Sequence, residues 1–184
     1  MTHKSDTICA LATAYGQSGI GVIRVTGPLA KFIAKKILHQ DLEARYAYYG
    51  SFFGDKNHVI DKGVAIVFPG PNSYTGEDVV EFQGHGGISV TRKLLETIIS
   101  LDVRLAEPGE FTKRAFLNGK MDLVQAEAVQ DLIQSNSEES ALSAVRSLTG
   151  EFSEKVNLIL SELISLRVFV EATIDFSDEE IDFL

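Results

Sequence analysis

A chain of 184 residues, 45% hydrophobic and 23% charged, can bury one substantial core or two small ones and is too apolar to be disordered. No apolar run approaches the ~20 residues that cross a bilayer, and the N-terminal stretch lacks a signal-peptide apolar region, so the expected setting is cytoplasmic with no membrane anchor. The net charge of −9 is uneven: residues 1–120 hold 14 Lys and Arg against 12 Asp and Glu, whereas residues 121–184 hold 3 against 14. That asymmetry marks a boundary near Lys120 and excludes the second segment as a grip for nucleic-acid phosphates, which are held by Lys and Arg.

In chain order, Thr7–Ala12 and Gly19–Val25 read as strands around the glycine-rich turn Tyr15–Gly19. The lone cysteine, Cys9, has no disulfide partner and reads as buried filler in the first of them. Pro28 suits a first helical position, and Leu29, Phe32, Ile33 and Ile37 then form an apolar helical face. Tyr46–Phe53 and Val59–Phe68 read as strands around the turn Gly54–Asn57, and Pro69–Ser73 as a stiff loop. Asp78–Gln83 alternates as a half-buried strand would. Gly84-His85-Gly86-Gly87 reads as a loop leading into a helix with Val90, Leu94, Leu95, Ile98 and Ile99 inward. Val103–Ala106 is a short strand, and Pro108-Gly109 opens a segment carrying Phe111, Ala115, Phe116 and Leu117.

Beyond Lys120 the pattern becomes helical. Asp122 can cap a helix bearing Leu123, Ala126, Val129, Leu132 and Ile133, and Ser135-x-x-Glu138 has the capping-box pattern for a second helix, stopped by Gly150. From Phe152 the positions 152, 156, 159, 160, 163, 166, 170 and 174 make one long amphipathic helix. Ser177-x-x-Glu180 predicts the start of another, so the helical part is expected to continue past Leu184.

Several chemistries find no support. There is no G-x-x-x-x-G-K-[ST] loop, CxxC, HExxH or G-x-S-x-G, and the four histidines do not cluster. Three charges on apolar elements stand out: Arg24 within Gly21–Val25, Glu81 within Val79–Phe82, and Lys120 after the tight Asn118-Gly119. One reading places each on a solvated face, or pairs Arg24 with Glu81. The other is a pocket for a small polar heterocycle. A carboxylate accepts two parallel N–H bonds from an amidine-like edge such as that of a pterin, while Arg24 and Lys120 donate to carboxylate or carbonyl groups elsewhere on the ligand. Tyr74 or Phe116 could then supply a stacking face.

Four strings carry a resemblance: DTICALATAYGQSGIGVIRVTGP (6–28), FPGPNSYTGEDVVEFQGHGG (68–87), EPGEFTKRAFLNGKMDLVQAEAVQDLI (107–133) and VEATIDFSDEEIDFL (170–184). In this order, and spanning nearly the whole chain, they resemble the MnmE (TrmE) family of bacterial tRNA-modification GTPases. The third string is the most diagnostic. The resemblance implies an α+β fold, a mixed sheet with flanking helices like the tetrahydrofolate-binding domain of aminomethyltransferases, followed by an all-helical segment. It implies a folate-binding and dimerisation domain over 1–120 and the first part of a helical domain over 121–184, with the GTPase domain absent from this chain.

Such proteins are homodimers. With an FAD-dependent partner, MnmG, they modify C5 of the wobble uridine (U34) of tRNA; neither DNA nor a membrane is involved. A folate, 5-formyltetrahydrofolate or 5,10-methylenetetrahydrofolate, supplies the one-carbon unit, and GTP hydrolysis with Mg2+ and K+ gates the reaction. The family's folate contacts match Arg24, Glu81 and Lys120, the three charges already singled out. Glu81 is expected to meet the pterin edge, and Arg24 and Lys120 the formyl or glutamate end. No catalytic residue is expected here, and this chain alone is expected to bind no GTP and modify no tRNA. One departure is the first turn, Ala14–Gly19, where the family carries two prolines. Two other readings remain: a stand-alone folate-dependent transferase or iron–sulfur assembly protein, which should lack the DEEIDFL continuation, and a purely structural dimerisation module.

Overall fold

Strands form in this chain where apolar and polar side chains alternate, because successive side chains leave a strand on opposite faces. The structure, a computed structural model, describes residues 6–175. It contains β1 (Ile8–Leu11), β2 (Ser18–Thr26), α1 (Ala30–Leu38), β3 (Tyr48–Phe53), β4 (Val59–Phe68), β5 (Val79–Gly86), α2 (Ile88–Ile99), β6 (Arg104–Leu105) and α3 (Glu110–Leu117). Three helices follow: α4 (Leu123–Gln134), α5 (Glu138–Leu148) and α6 (Glu151–Asp175). By contacts the chain divides into two compact units, the first ending at Met121 and the second beginning at Asp122. Among the described residues no helix is long and apolar enough to cross a membrane.

In the first unit one mixed sheet runs in the order β3-β4-β5-β2-β1-β6. The pairs β1–β2, β2–β5, β3–β4 and β4–β5 are antiparallel, whereas β1–β6 is parallel. One face supplies Ile23 and Val25 from β2, Phe52 from β3, Ala65 and Val67 from β4, and Val80 and Phe82 from β5. They bury against Ile33 and Ile37 of α1 and Leu94 and Ile98 of α2. Phe52 and Phe82 meet edge to face with centroids 5.6 Å apart. Each such fully buried side chain contributes roughly 1.5–3 kcal/mol. Cys9, completely buried in β1, belongs to the same core, and burial pushes its thiol up to about 11. The alternation of β2 and β5 sends the neighbouring residues to the other face, which carries Arg24 opposite Glu81.

The second unit begins with a full capping box. Asp122 accepts the Gln125 N–H and the Gln125 side chain accepts the Asp122 N–H, at 2.8 and 2.9 Å. α4 packs on α5, and α5 on α6. Gly150, at φ +91°, ends the turn between the last two helices.

Several expectations need correction. α1 starts at Ala30, not at Pro28, and the Leu29 N–H just before it donates to the Thr7 hydroxyl at 3.0 Å. Phe32 lies at the edge of the helical face, exposed, with the Lys36 ammonium 5.4 Å from its ring centroid. β5 runs on to Gly86, so His85 sits in a strand rather than a loop. The last sheet strand shrinks to Arg104–Leu105.

α5 is capped by Ser137, which accepts the Ser140 N–H at 3.1 Å, while Ser135 instead ends α4 and bonds back to the Leu132 carbonyl. In α4 the buried residue is Ala128, with Leu123 and Ile133 exposed. α6 carries exposed apolar groups beyond the expected stripe, at Leu158, Ile164 and Val168. The helix start expected at Ser177–Glu180 lies outside the described residues.

Candidate functional site

Arg24 and Glu81 meet because β2 and β5 place them directly opposite each other. Both bonds from Arg24 reach one carboxylate oxygen: Nε and Nη2 donate to Glu81 Oε1 at 2.8 and 2.7 Å. The second oxygen, Oε2, faces the Gln83 amide at 3.5 Å. The two side chains are 27% and 16% exposed, so the pair is partly shielded from solvent. Aromatic rings wall it: the guanidinium carbon lies 5.1 Å from the Tyr74 centroid and 5.8 Å from that of Phe111. Such contacts are worth about 0.5–1 kcal/mol each when exposed.

The loop between β4 and β5 holds the Tyr74 wall in place. Tyr74 and Thr112 share a hydroxyl hydrogen bond of 2.9 Å, and the Asn118 amide donates to the Thr75 carbonyl at 2.7 Å. Lys120 follows Asn118, and its carbon stem lies against Gly76, where an added Cβ would come within 3.2 Å of Lys120 Cγ. Lys120 therefore lies along the loop that carries Tyr74, exposed, without joining the Arg24–Glu81 ion pair. The structure brings two of the three expected charges into contact and sets the third beside the loop that forms one wall. Phe116, considered as a stacking face, is an exposed residue of α3, and Phe111, five residues earlier, takes that position.

Sequence reasoning missed the ionic cluster behind that wall. Glu110 is nearly buried and accepts Arg104 through both oxygens, at 2.7 and 3.0 Å, Arg114 at 3.0 Å, and the Glu107 N–H at 2.7 Å. The Arg104 hydrogen bonds lead in holding its carboxyl down to about 2. Arg114 also donates to the Asp6 carbonyl at 2.7 Å and to Glu77 at 3.2 Å. Burial disfavours the Arg114 cation, but its carboxylate partners outweigh that and raise its pKa. Glu77 in turn accepts Thr26, whose hydroxyl meets that of Thr75 at 2.6 Å with both residues fully buried. The one local signal was the i,i+4 spacing of Glu110 and Arg114; the other links cross the fold and leave no mark in sequence.

His85 has a carboxylate partner as well. Asp61 accepts the His85 backbone N–H and meets its ring Nδ1, each at 2.7 Å. Burial works against the charged Asp61 carboxylate, but the His85 and Lys62 hydrogen bonds hold its pKa below the usual value. Two clefts, of about 830 Å³ beside Asp6, Leu29 and Arg104 and about 660 Å³ beside Phe32, His39 and Phe53, include none of Arg24, Glu81 and Lys120. A small polar ligand is oriented by the few polar groups it meets, and these converge at Arg24 and Glu81 rather than in either cleft.

Comparison with known proteins follows the same division of the chain. A family profile described as the N-terminus of the GTP-binding protein TrmE matches residues 7–120, and one described as the MnmE helical domain matches residues 123–184. A protein named tRNA modification GTPase MnmE from Ruthia magnifica subsp. Calyptogena magnifica is 61% identical over all of this chain, which covers 41% of that protein. The protein of the same name from Vesicomyosocius okutanii subsp. Calyptogena okutanii (strain HA) is 60% identical over the same 41% share. That from Ectopseudomonas mendocina (strain ymp) is 54% identical, again over the whole chain and 40% of the relative. Matched by both profiles and at this identity by full-chain relatives, the chain belongs to the MnmE (TrmE) family, in that family's N-terminal and helical-domain sequence.

Proposed function

We propose that the first unit binds a tetrahydrofolate derivative, 5-formyltetrahydrofolate or 5,10-methylenetetrahydrofolate, and forms the dimer of a tRNA-modifying GTPase. The observation that carries the reading is the Arg24–Glu81 pair beneath Tyr74 and Phe111. A carboxylate beside aromatic faces suits the donor edge and flat ring of a pterin. Glu81 takes that edge, Tyr74 and Phe111 cover the ring, and Arg24 and Lys120 hold the formyl or glutamate end.

In the whole protein this folate supplies the one-carbon unit for C5 of the wobble uridine of tRNA, in the cytoplasm. GTP, Mg2+ and K+ act at a GTPase domain outside this chain, and an FAD-dependent MnmG completes the reaction. The first 120 residues then serve folate binding and homodimerisation, and residues 121–184 begin the helical domain. The relatives' shared name, tRNA modification GTPase, supports this assignment.

Calorimetric titration with 5-formyltetrahydrofolate tests the site. Heat that is saturable in the wild type and lost in Glu81→Ala supports it, whereas a silent wild type overturns it. The ion pair itself favours a second reading, a scaffold in which Arg24 and Glu81 only pin β2 to β5. Under that reading Glu81→Ala lowers stability with no folate heat to lose.

A further inference from the structure

We propose that the Arg24 guanidinium and the pterin ring compete for the Glu81 carboxylate, which makes Arg24 the residue that selects complete folates over bare pterins. The proposal rests on the folate reading above and concerns how that site discriminates. Its basis is chemical mimicry. A pterin contains a guanidine unit, the carbon C2 with N1, N3 and the 2-amino nitrogen, and presents two adjacent N–H donors from it. Arg24 presents Nε–H and Nη2–H from the same planar group, and both fall on Glu81 Oε1 at 2.8 and 2.7 Å. The guanidinium also lies over Tyr74 at 5.1 Å and near Phe111 at 5.8 Å, the faces on which a pterin would stack. One planar CN3 group therefore already occupies Oε1 and the ring faces, while Oε2 keeps only the long 3.5 Å contact with the Gln83 amide.

A ligand that docks both donors of its edge on Glu81, one on each oxygen, needs Oε1 and so must displace the guanidinium from it. The guanidinium, 27% exposed where it is paired, loses its carboxylate on displacement, which is costly unless the ligand supplies an anion in exchange. A folate does so through its glutamate carboxylates, whereas a bare pterin has none. β2 need not move, because Ile23 and Val25 fix it in the core and the Arg24 side chain alone can rotate. Selectivity thus comes from a two-ended exchange: donors to Glu81 at one end, a carboxylate for Arg24 at the other.

The test is calorimetric titration of 6-methyltetrahydropterin and 5-formyltetrahydrofolate into wild type, Arg24→Leu and Arg24→Lys. In Arg24→Leu the bare pterin should bind roughly five- to ten-fold tighter than in wild type, about what an exposed ion pair and a cation–π contact are worth together. The folate should bind more weakly to that variant. Arg24→Lys, which keeps the charge but not the planar donor fork, should fall between the two for both ligands. Guanidinium chloride well below denaturing concentration should weaken pterin binding to Arg24→Leu more than equal NaCl does. Pterin affinity unchanged or lower in Arg24→Leu, with wild type binding folate normally, overturns the competition alone. A wild type silent to folate overturns the folate reading and the competition with it. If the variants do not fold, the wild-type Arg24 Nε–H resonance decides: it must shift on folate binding, and a signal unmoved at saturation overturns the proposal.

Discussion

Gly76 shows how a single residue reaches the site. Its φ of +79° is a conformation that side chains with a Cβ rarely adopt, and that Cβ would press on Asn118 and on the stem of Lys120. We expect Gly76→Ala to cost about 1–2 kcal/mol and to weaken 5-formyltetrahydrofolate binding several-fold by displacing Lys120. Urea midpoints and calorimetry check the two effects separately; lost stability with intact affinity would remove Lys120 from the site. At Gly63 the constraint is packing alone, since an added Cβ would run into the Gln83 carbonyl of the neighbouring strand. Gly63→Ala should destabilise by about 2 kcal/mol, read from the same urea midpoint, by forcing β4 from β5. Arg24 and Glu81 were legible as charges within apolar strands. Their pairing was one of two readings left open, because α1, β3 and β4 separate β2 from β5 in sequence and no local signal sets a register that also shifts between Ser18 and Gly21.

Helix α3 is held by charge rather than by a large apolar face. Of its residues, Glu110 and Ala115 are buried, and Arg104 and Arg114 clamp Glu110 from two sides. Because the Glu110 pKa is depressed from 4.5 to about 2, its contribution to stability is present above pH 4.5 and is lost as pH falls toward 2. Glu110→Gln should lower stability at neutral pH by roughly 3 kcal/mol at most and flatten the acid limb over that window, measured as urea midpoints against pH. An acid limb of unchanged slope would place the titration elsewhere. Asp122→Ala, which removes the α4 cap, should cost about 1 kcal/mol. That cap was legible because its signal is local: an acidic residue three positions before Gln125. The α5 start was displaced by two residues because Ser135 and Ser137 both suit a cap, and the hydrogen bonds choose Ser137. The parallel pairing of β1 with β6 left no local signal, since it joins Ile8 to Arg104 across most of the first unit.

At the scale of the molecule the two units differ in how they bury apolar surface. The first has a closed core between sheet and helices, whereas α6 carries Val156, Leu158, Ile159, Leu160, Leu163, Ile164 and Leu166 exposed by 46–64% and spread around its axis. The exposed apolar groups extend beyond the single stripe expected from the sequence, although the Lys155–Glu151 and Arg167–Glu171 ion pairs keep part of the helix polar. Replacing Leu160 and Leu163 together by Glu should reduce binding of an apolar fluorescent dye such as ANS while leaving the folate heat of the first unit unchanged. A dye signal that stays constant would mean that other surfaces bind it.

The position of Cys9 gives the sheet a built-in clock. β2 flanks it on one side and β6 on the other, and no solvent reaches the sulfur. A thiol reagent can therefore attack only in the instants when that strand comes loose, and no second cysteine blurs the reading. The rate of labelling counts openings of β1 from its neighbours, so any ligand gripping the strands on the far face must slow it in proportion to its occupancy.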